Sequence, residues 1–149
     1  MVAAGDAPSL IILGQPGLGK SYEVTQALAA MELERNADYF VIKGYSSSRA
    51  LYEALYANNG RLTIFDDCDS ALRDRDAVGI LKGALESEKV RPVSWLTAAK
   101  RGAGVPRSFD FDGQVIFISN LTIDKIDPAI CSRSLPVDWQ SQKQILGFR

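Results

Sequence analysis

The chain contains no histidine at all, and that absence removes several chemistries at once. Ser-His-Asp and Cys-His catalysis need an imidazole to carry the proton, and metal sites built on histidine need it as a ligand. Cysteine is nearly as scarce. Cys68 and Cys131 lie far apart without metal-ligand spacing, so they read as free thiols in a reducing compartment. Long apolar runs are missing too: Leu10 to Leu13, the longest clean one near the start, cannot span a bilayer. Glycines and a lysine follow it in place of a signal-peptide cleavage region, so a cytoplasmic protein with no membrane partner is expected. Net charge is almost absent, at -1. A near-neutral total can hide a basic face, so nucleic acid is neither required nor excluded.

What is present is an ordinary globular composition: 149 residues, 46% hydrophobic and 23% charged, enough for one domain with one core. There is no repeat, low-complexity tract or interdomain linker. Ser9 to Leu13 is a short apolar run entering a glycine-rich turn, and Val24, Ala27, Leu28 and Met31 then recur at helical spacing. Tyr39 to Ile42 reads as a second strand. Leu51, Ala54, Leu55 and Asn58 mark a second helix, opened by the serines at 46 to 48 and closed by Asn59-Gly60. Arg61 to Phe65 makes the third strand, and Val78, Leu81 and Leu85 a third helix. Gln114 to Ser119 and Ser134 to Trp139 complete the strands. Strands alternating with helices predict an α/β fold whose mainly parallel five-stranded sheet is covered on both faces. The stretch RPVSWLTAAKRGAGVPRSFDF breaks the alternation. Val93 and Trp95, then Phe109 and Phe111, flank a Gly/Ala/basic segment, which predicts a β-hairpin inserted before the Gln114 strand.

Between the first strand and first helix stands GQPGLGKS, which fits G-x-x-x-x-G-K-[ST] in the context that pattern needs. Gly14, Gln15, Pro16, Gly17, Leu18, Gly19, Lys20 and Ser21 would form a phosphate cradle. Its glycines let backbone N–H groups face the anion without interference from Cβ. The helix beginning near Lys20 turns its positive end the same way. Lys20 would reach the β- and γ-phosphates and Ser21 would offer its hydroxyl to Mg²⁺. A nucleotidase of this kind also needs an acid on a neighbouring strand, and LTIFDD ends on Asp66 in the expected chain order. ATP or ADP with Mg²⁺, held by Ser21 and Asp66, is therefore the expected ligand. A ligand-free glycine loop is the minor alternative.

Two further features extend this reading: VIFISN ends a buried strand on Asn120, and DPAICSRS places Arg133 just before the last strand. A phosphate loop, a strand-end acid pair, a strand-end asparagine and a Ser-Arg element in that order resemble the AAA+ ATPase superfamily from Leu10 to Trp139. The Ser-Arg element is similar to that of clamp loaders, and FDDCDS, ILKGALES and VIFISN are similar to AAA+ proteins of phages and prokaryotic mobile elements. The resemblance implies a P-loop three-layer αβα sandwich over residues 1–139. Residues 140–149 would begin a helical lid that is truncated or missing, so no sensor-2 arginine is assigned. It implies Asp67 as the base that polarises water, Asn120 as sensor 1, and Arg133 as an arginine finger acting in trans. It further implies a ring or open-ring homo-oligomer such as a hexamer, working in a prokaryotic or phage-infected cytoplasm. Most members carry glutamate where Asp67 stands, and the shorter side chain retracts the carboxylate by about 1.5 Å. Asp69 would supplement it if the strand continued, although a turn is favoured there.

The substrate is less legible. IKGYSSS offers Lys43 and Tyr45, and the hairpin tip offers Lys100, Arg101 and Arg107. Basic residues on a Gly/Ala loop suit grip on a nucleic-acid backbone, an aromatic beside glycine suits grip on polypeptide, and solvated loop tips without a ligand are an equal alternative. The readings are remodelling of DNA or of a replication or recombination complex, protein remodelling, and an ATP-switched binding module with negligible turnover. A small-molecule kinase is remote, because it leaves Asn120 and the Ser-Arg element unexplained.

Overall fold

A computed structural model of the chain describes residues 9–15, 17, 19–44, 47–95 and 104–139. In chain order its elements are β1 (Ser9–Leu13), α1 (Lys20–Ala30), β2 (Tyr39–Lys43), α2 (Ser48–Ala57), β3 (Leu62–Asp66), α3 (Arg75–Ala84), β4 (Arg91–Ser94), β5 (Ser108–Phe111), β6 (Gln114–Ser119), α4 (Pro128–Arg133) and β7 (Leu135–Asp138). Five strands form one sheet in the order β2-β3-β6-β1-β7, and every neighbouring pair is parallel. The fold is α/β.

Successive side chains of a strand point to opposite faces, and these strands are apolar on both. In β6, Val115 and Phe117 enter one buried cluster while Ile116 and Ile118 enter the other. β1 divides the same way, with Ile11 and Leu13 on one side and Ile12 on the other. Val24 and Leu28 of α1 cover the Ile12 face. Leu51 and Leu55 of α2, Val78 and Leu81 of α3, and Ile130 of α4 cover the Ile11 face. Helices therefore lie on both sides of the sheet. Among the described residues no helix is long and apolar enough to cross a membrane.

The predicted ends of β1 and β6 agree to the residue, and β7 is one residue shorter at each end than Ser134 to Trp139. The predicted hairpin is present as antiparallel β4 and β5, a separate two-stranded sheet. Its apolar face joins the α2–α3 side: Tyr52 meets Trp95 and Phe109 edge-on, with ring centroids 5.5 and 5.3 Å away. Buried Arg91 donates to the carbonyls of Phe111 and Gly113 and lies over the Phe111 ring, closing the hairpin's base. The α4 helix was not expected. Six residues are too few to display a helical period, but Asp127 followed by Pro128 at the first helical position is a start signal.

The topology also sets where a ligand fits. From β1 the chain crosses on the α1 face to β2, beyond β6 and β3. From β6 it crosses on the other face, through α4, to β7. The connections leaving the adjacent strands β1 and β6 diverge, which opens a crevice at their carboxyl ends.

Candidate functional site

That crevice is a cleft of about 270 Å³ lined by Gly17, Gly19, Lys20, Ser21, Tyr22, Asp66, Asp67, Ile118 and Asn120. The glycine-rich loop reaches it from β1. Gly17 and Gly19 have φ of 83° and 74°, a left-handed conformation that costs any residue with a Cβ. Pro16 and Leu18 lie outside the described residues, and the placed members of the motif are Gly14, Gln15, Gly17, Gly19, Lys20 and Ser21.

Lys20 opens α1 and is buried, with 6% of its surface exposed. Its ammonium has three protons and three acceptors: the carbonyls of Gly14 and Gln15, both at 2.8 Å, and Oδ1 of Asn120 at 2.9 Å. Burial lowers its pKa from the ordinary lysine value, and the charges of Asp66, Asp69 and Asp67 oppose that shift. The next residue, Ser21, donates its hydroxyl to Asp66 Oδ2 at 2.7 Å, joining the start of α1 to the end of β3. Lys43, at the end of β2, places its ammonium 3.8 Å from the same oxygen. Because that side chain is mostly solvent-exposed, the ion pair adds little stability.

Asp67 lies one residue past β3 with φ of 60°, which aspartate tolerates better than most residues. Its N–H donates to Ile118 O at 3.0 Å, fixing this strand end to β6. Asp69 begins a short 3₁₀ turn and accepts the Ser119 hydroxyl at 2.7 Å. The favoured turn is thus present, and Asp69 is engaged with β6. Between the two acids Cys68 is buried, and its thiol is pushed up to about 11 by burial first and by Asp66, Asp67 and Asp69 after it. At that value it is a neutral thiol at physiological pH.

Serine and carboxylate oxygens are the hard donors Mg²⁺ prefers, and phosphate and water complete its octahedron in such sites. Ser21 and Asp66 fit that pattern. Among the described residues there is no group of three His, Cys, Asp or Glu side chains that could hold a metal ion.

Arg133 lies elsewhere. Its guanidinium donates to Glu86 Oε1 at 2.7 Å and to the Ala129 carbonyl at 3.1 Å. Its own carbonyl accepts the hydroxyl of Ser9, the first residue of β1. The glycine loop leaves the other end of that strand, about 13 Å away at the rise of an extended chain. Within one copy, Arg133 and the cleft occupy opposite ends of the sheet. Arg107 is exposed at the loop end of the hairpin, where its carbonyl accepts the Trp95 N–H at 2.8 Å. Tyr45, Lys100 and Arg101 lie outside the described residues.

Sequence reasoning missed Tyr22 and Ile118 as lining residues and Ser119 as the anchor for Asp69. Tyr22 had a signal, since it follows Ser21 on the exposed side of α1 and is 60% exposed. The two β6 residues had none, because only strand register brings them here.

No family model matches the chain. It is 34% identical over 148 residues to a protein of enterobacteria phage T4 described as an uncharacterized 36.7 kDa protein in the nrdC-mobD intergenic region. The alignment covers 90% of this chain and 45% of that protein, so the chain spans about half the length of its phage relative.

Proposed function

We propose that the chain is the nucleotide-binding core of a P-loop ATPase of AAA+ type, hydrolysing ATP with Mg²⁺ as part of an oligomer. The observation that carries this reading is the 2.7 Å bond from Ser21 to Asp66, made beside Lys20 and Asn120 in one cleft. Residues 45 and 100 positions apart along the chain meet at the mouth of a glycine loop. The divergent connections above β1 and β6 support the P-loop sandwich, and the T4 relative supports a phage-borne protein.

Each residue then has a task. The loop N–H groups and Lys20 hold the phosphates, a phosphate oxygen exchanging with one of the three acceptors now on the ammonium. Ser21 and Asp66 would hold the ion, which would supply neutralisation of phosphate charge. Asp67 accepts the proton of the attacking water, and Asn120 orients that water. Arg133 is engaged by Glu86 at the far end of the sheet, so the guanidinium that stabilises the transferring phosphoryl group comes from a second copy. We place DNA, or a complex assembled on it, ahead of polypeptide as the substrate because of the basic hairpin segment with exposed Arg107.

The test is binding of a fluorescent ATP analogue together with phosphate release measured against protein concentration, with and without single-stranded DNA. Wild type binds in Mg²⁺, and its release per molecule rises with concentration. Arg133→Ala abolishes that rise. Asp67→Asn retains binding and loses on the order of 10²-fold or more in turnover, while Asp67→Glu raises it. Release per molecule that is flat with concentration overturns the assembly. Failure to bind nucleotide overturns the whole reading. The shortened base at Asp67 favours one second reading, an ATP-switched assembly module, whose signature is ATP-dependent oligomers without phosphate release.

A further inference from the structure

We propose that Asp69 and Ser119 are a positioning pair that holds the two water-orienting groups, Asp67 and Asn120, in mutual register. The proposal rests on the hydrolytic reading above and assigns two residues that touch neither phosphate nor metal.

The geometry is local and closed. Ser119 is the last residue of β6 and is 1% exposed, so its hydroxyl has no water to satisfy it. It donates to Asp69 Oδ1 at 2.7 Å and accepts the Leu121 N–H at 3.0 Å. A buried hydroxyl using donor and acceptor at once is held in one rotamer. The N–H of Asp67 meets the carbonyl of Ile118 at 3.0 Å, on the same pair of strands. Two bonds therefore cross from the chain after β3 to the end of β6, one made by Asp67 itself and the other by Asp69 two residues on. Asn120 is the next residue along the other.

Asp67 is exposed and has φ of 60°, away from the extended geometry of the strand it follows. Nothing in β3 itself sets where its carboxylate points. The turn does, and the bond from Ser119 to Asp69 fixes that turn. Asn120 is likewise exposed, and beyond its own bond to Lys20 it depends on the residue before it for position. Cutting the pair frees both groups together. Misplacement by about 1 Å costs on the order of 10²-fold in rate when reacting groups must be aligned.

The experiment compares Asp69→Ala, Asp69→Asn, Ser119→Ala and Ser119→Thr with wild type for kcat of phosphate release, affinity for a fluorescent ADP analogue, and thermal midpoint. Asp69→Ala and Ser119→Ala lower kcat at least about 10-fold with ADP affinity within roughly twofold of wild type. The double alanine variant loses no more than either single one. Asp69→Asn keeps the accepting oxygen without the charge and retains kcat within about threefold, as does Ser119→Thr, which keeps the hydroxyl. Unchanged kcat in Asp69→Ala overturns the pairing, as does a fall in kcat matched by an equal fall in ADP affinity. An Asp69→Asn variant as slow as Asp69→Ala overturns it in favour of a role for charge. If Asp69→Ala fails to fold, Ser119→Thr against Ser119→Ala decides between the same outcomes. Wild-type protein that binds nucleotide but releases no phosphate overturns the hydrolytic reading and this proposal with it, a result distinct from the others.

Discussion

Among the described residues four α-helices begin, and they begin in two ways. In α2, α3 and α4 the residue before the helix uses its side chain to accept an N–H of the first turn: Ser47 from Ala50 at 3.1 Å, Asp74 from Ala77 at 2.9 Å, and Asp127 from Ala129 at 2.9 Å. In α1 the same position is Gly19, left-handed at φ 74° and without a side-chain cap. Helices α2, α3 and α4 satisfy their amino ends with oxygen from their own chain. Helix α1 turns its amino end to a cleft that also holds a buried lysine. A self-capped helix start is a stability element, whereas an uncapped one beside a cation is suited to an anion supplied from outside.

The contrast can be broken most forcefully at Lys20. Lys20→Ala removes the only buried ammonium of the cleft among the described residues, and nucleotide affinity falls about 10- to 100-fold, the worth of a charge-assisted hydrogen bond. Titration with a fluorescent nucleotide measures it, and unchanged affinity would show that α1 starts like the other helices. A smaller effect is expected at Gly19→Ala. The left-handed backbone costs a residue with a Cβ roughly 1–2 kcal/mol. Chemical denaturation should record that loss together with weaker nucleotide binding, because the loop is displaced. The smallest effects sharpen the comparison from the other side. Ser47→Ala and Asp74→Ala each lower stability by about 1 kcal/mol in urea denaturation and leave nucleotide affinity within error.

Legibility in the sequence followed locality. β1 and β6 were readable to the residue because each is a continuous apolar run stopped by polar or glycine-rich chain, as strands covered on both faces must be. The glycine loop was readable because its parts are consecutive. That Asp66 faces Ser21 could be anticipated, since both sit at the carboxyl side of their strands. The pairs Lys43–Asp66 and Ser119–Asp69 could not. They depend on β2 lying beside β3, and β3 beside β6, in registers that no short-range pattern encodes. Asp69 illustrates the limit: its two expected fates differed in whether the strand continued or turned after the acid pair. Arg133 shows another, because a lone arginine in a sequence names neither its helix nor its partner, and here α4 delivers it to Glu86.

The base of the hairpin carries a structural consequence. Arg91 ties β4 to the carbonyls on both sides of the Asp112–Gly113 corner, where β5 ends and β6 begins. That corner has no slack: a Cβ on Gly113 would come within 2.7 Å of the Arg61 carbonyl and 2.8 Å of the Phe111 ring. Hairpin and β6 are thus joined at a tightly packed corner that leaves no room for a side chain at residue 113. From that corner the six residues of β6 run directly to Asn120, so the hairpin and the cleft share one continuous strand.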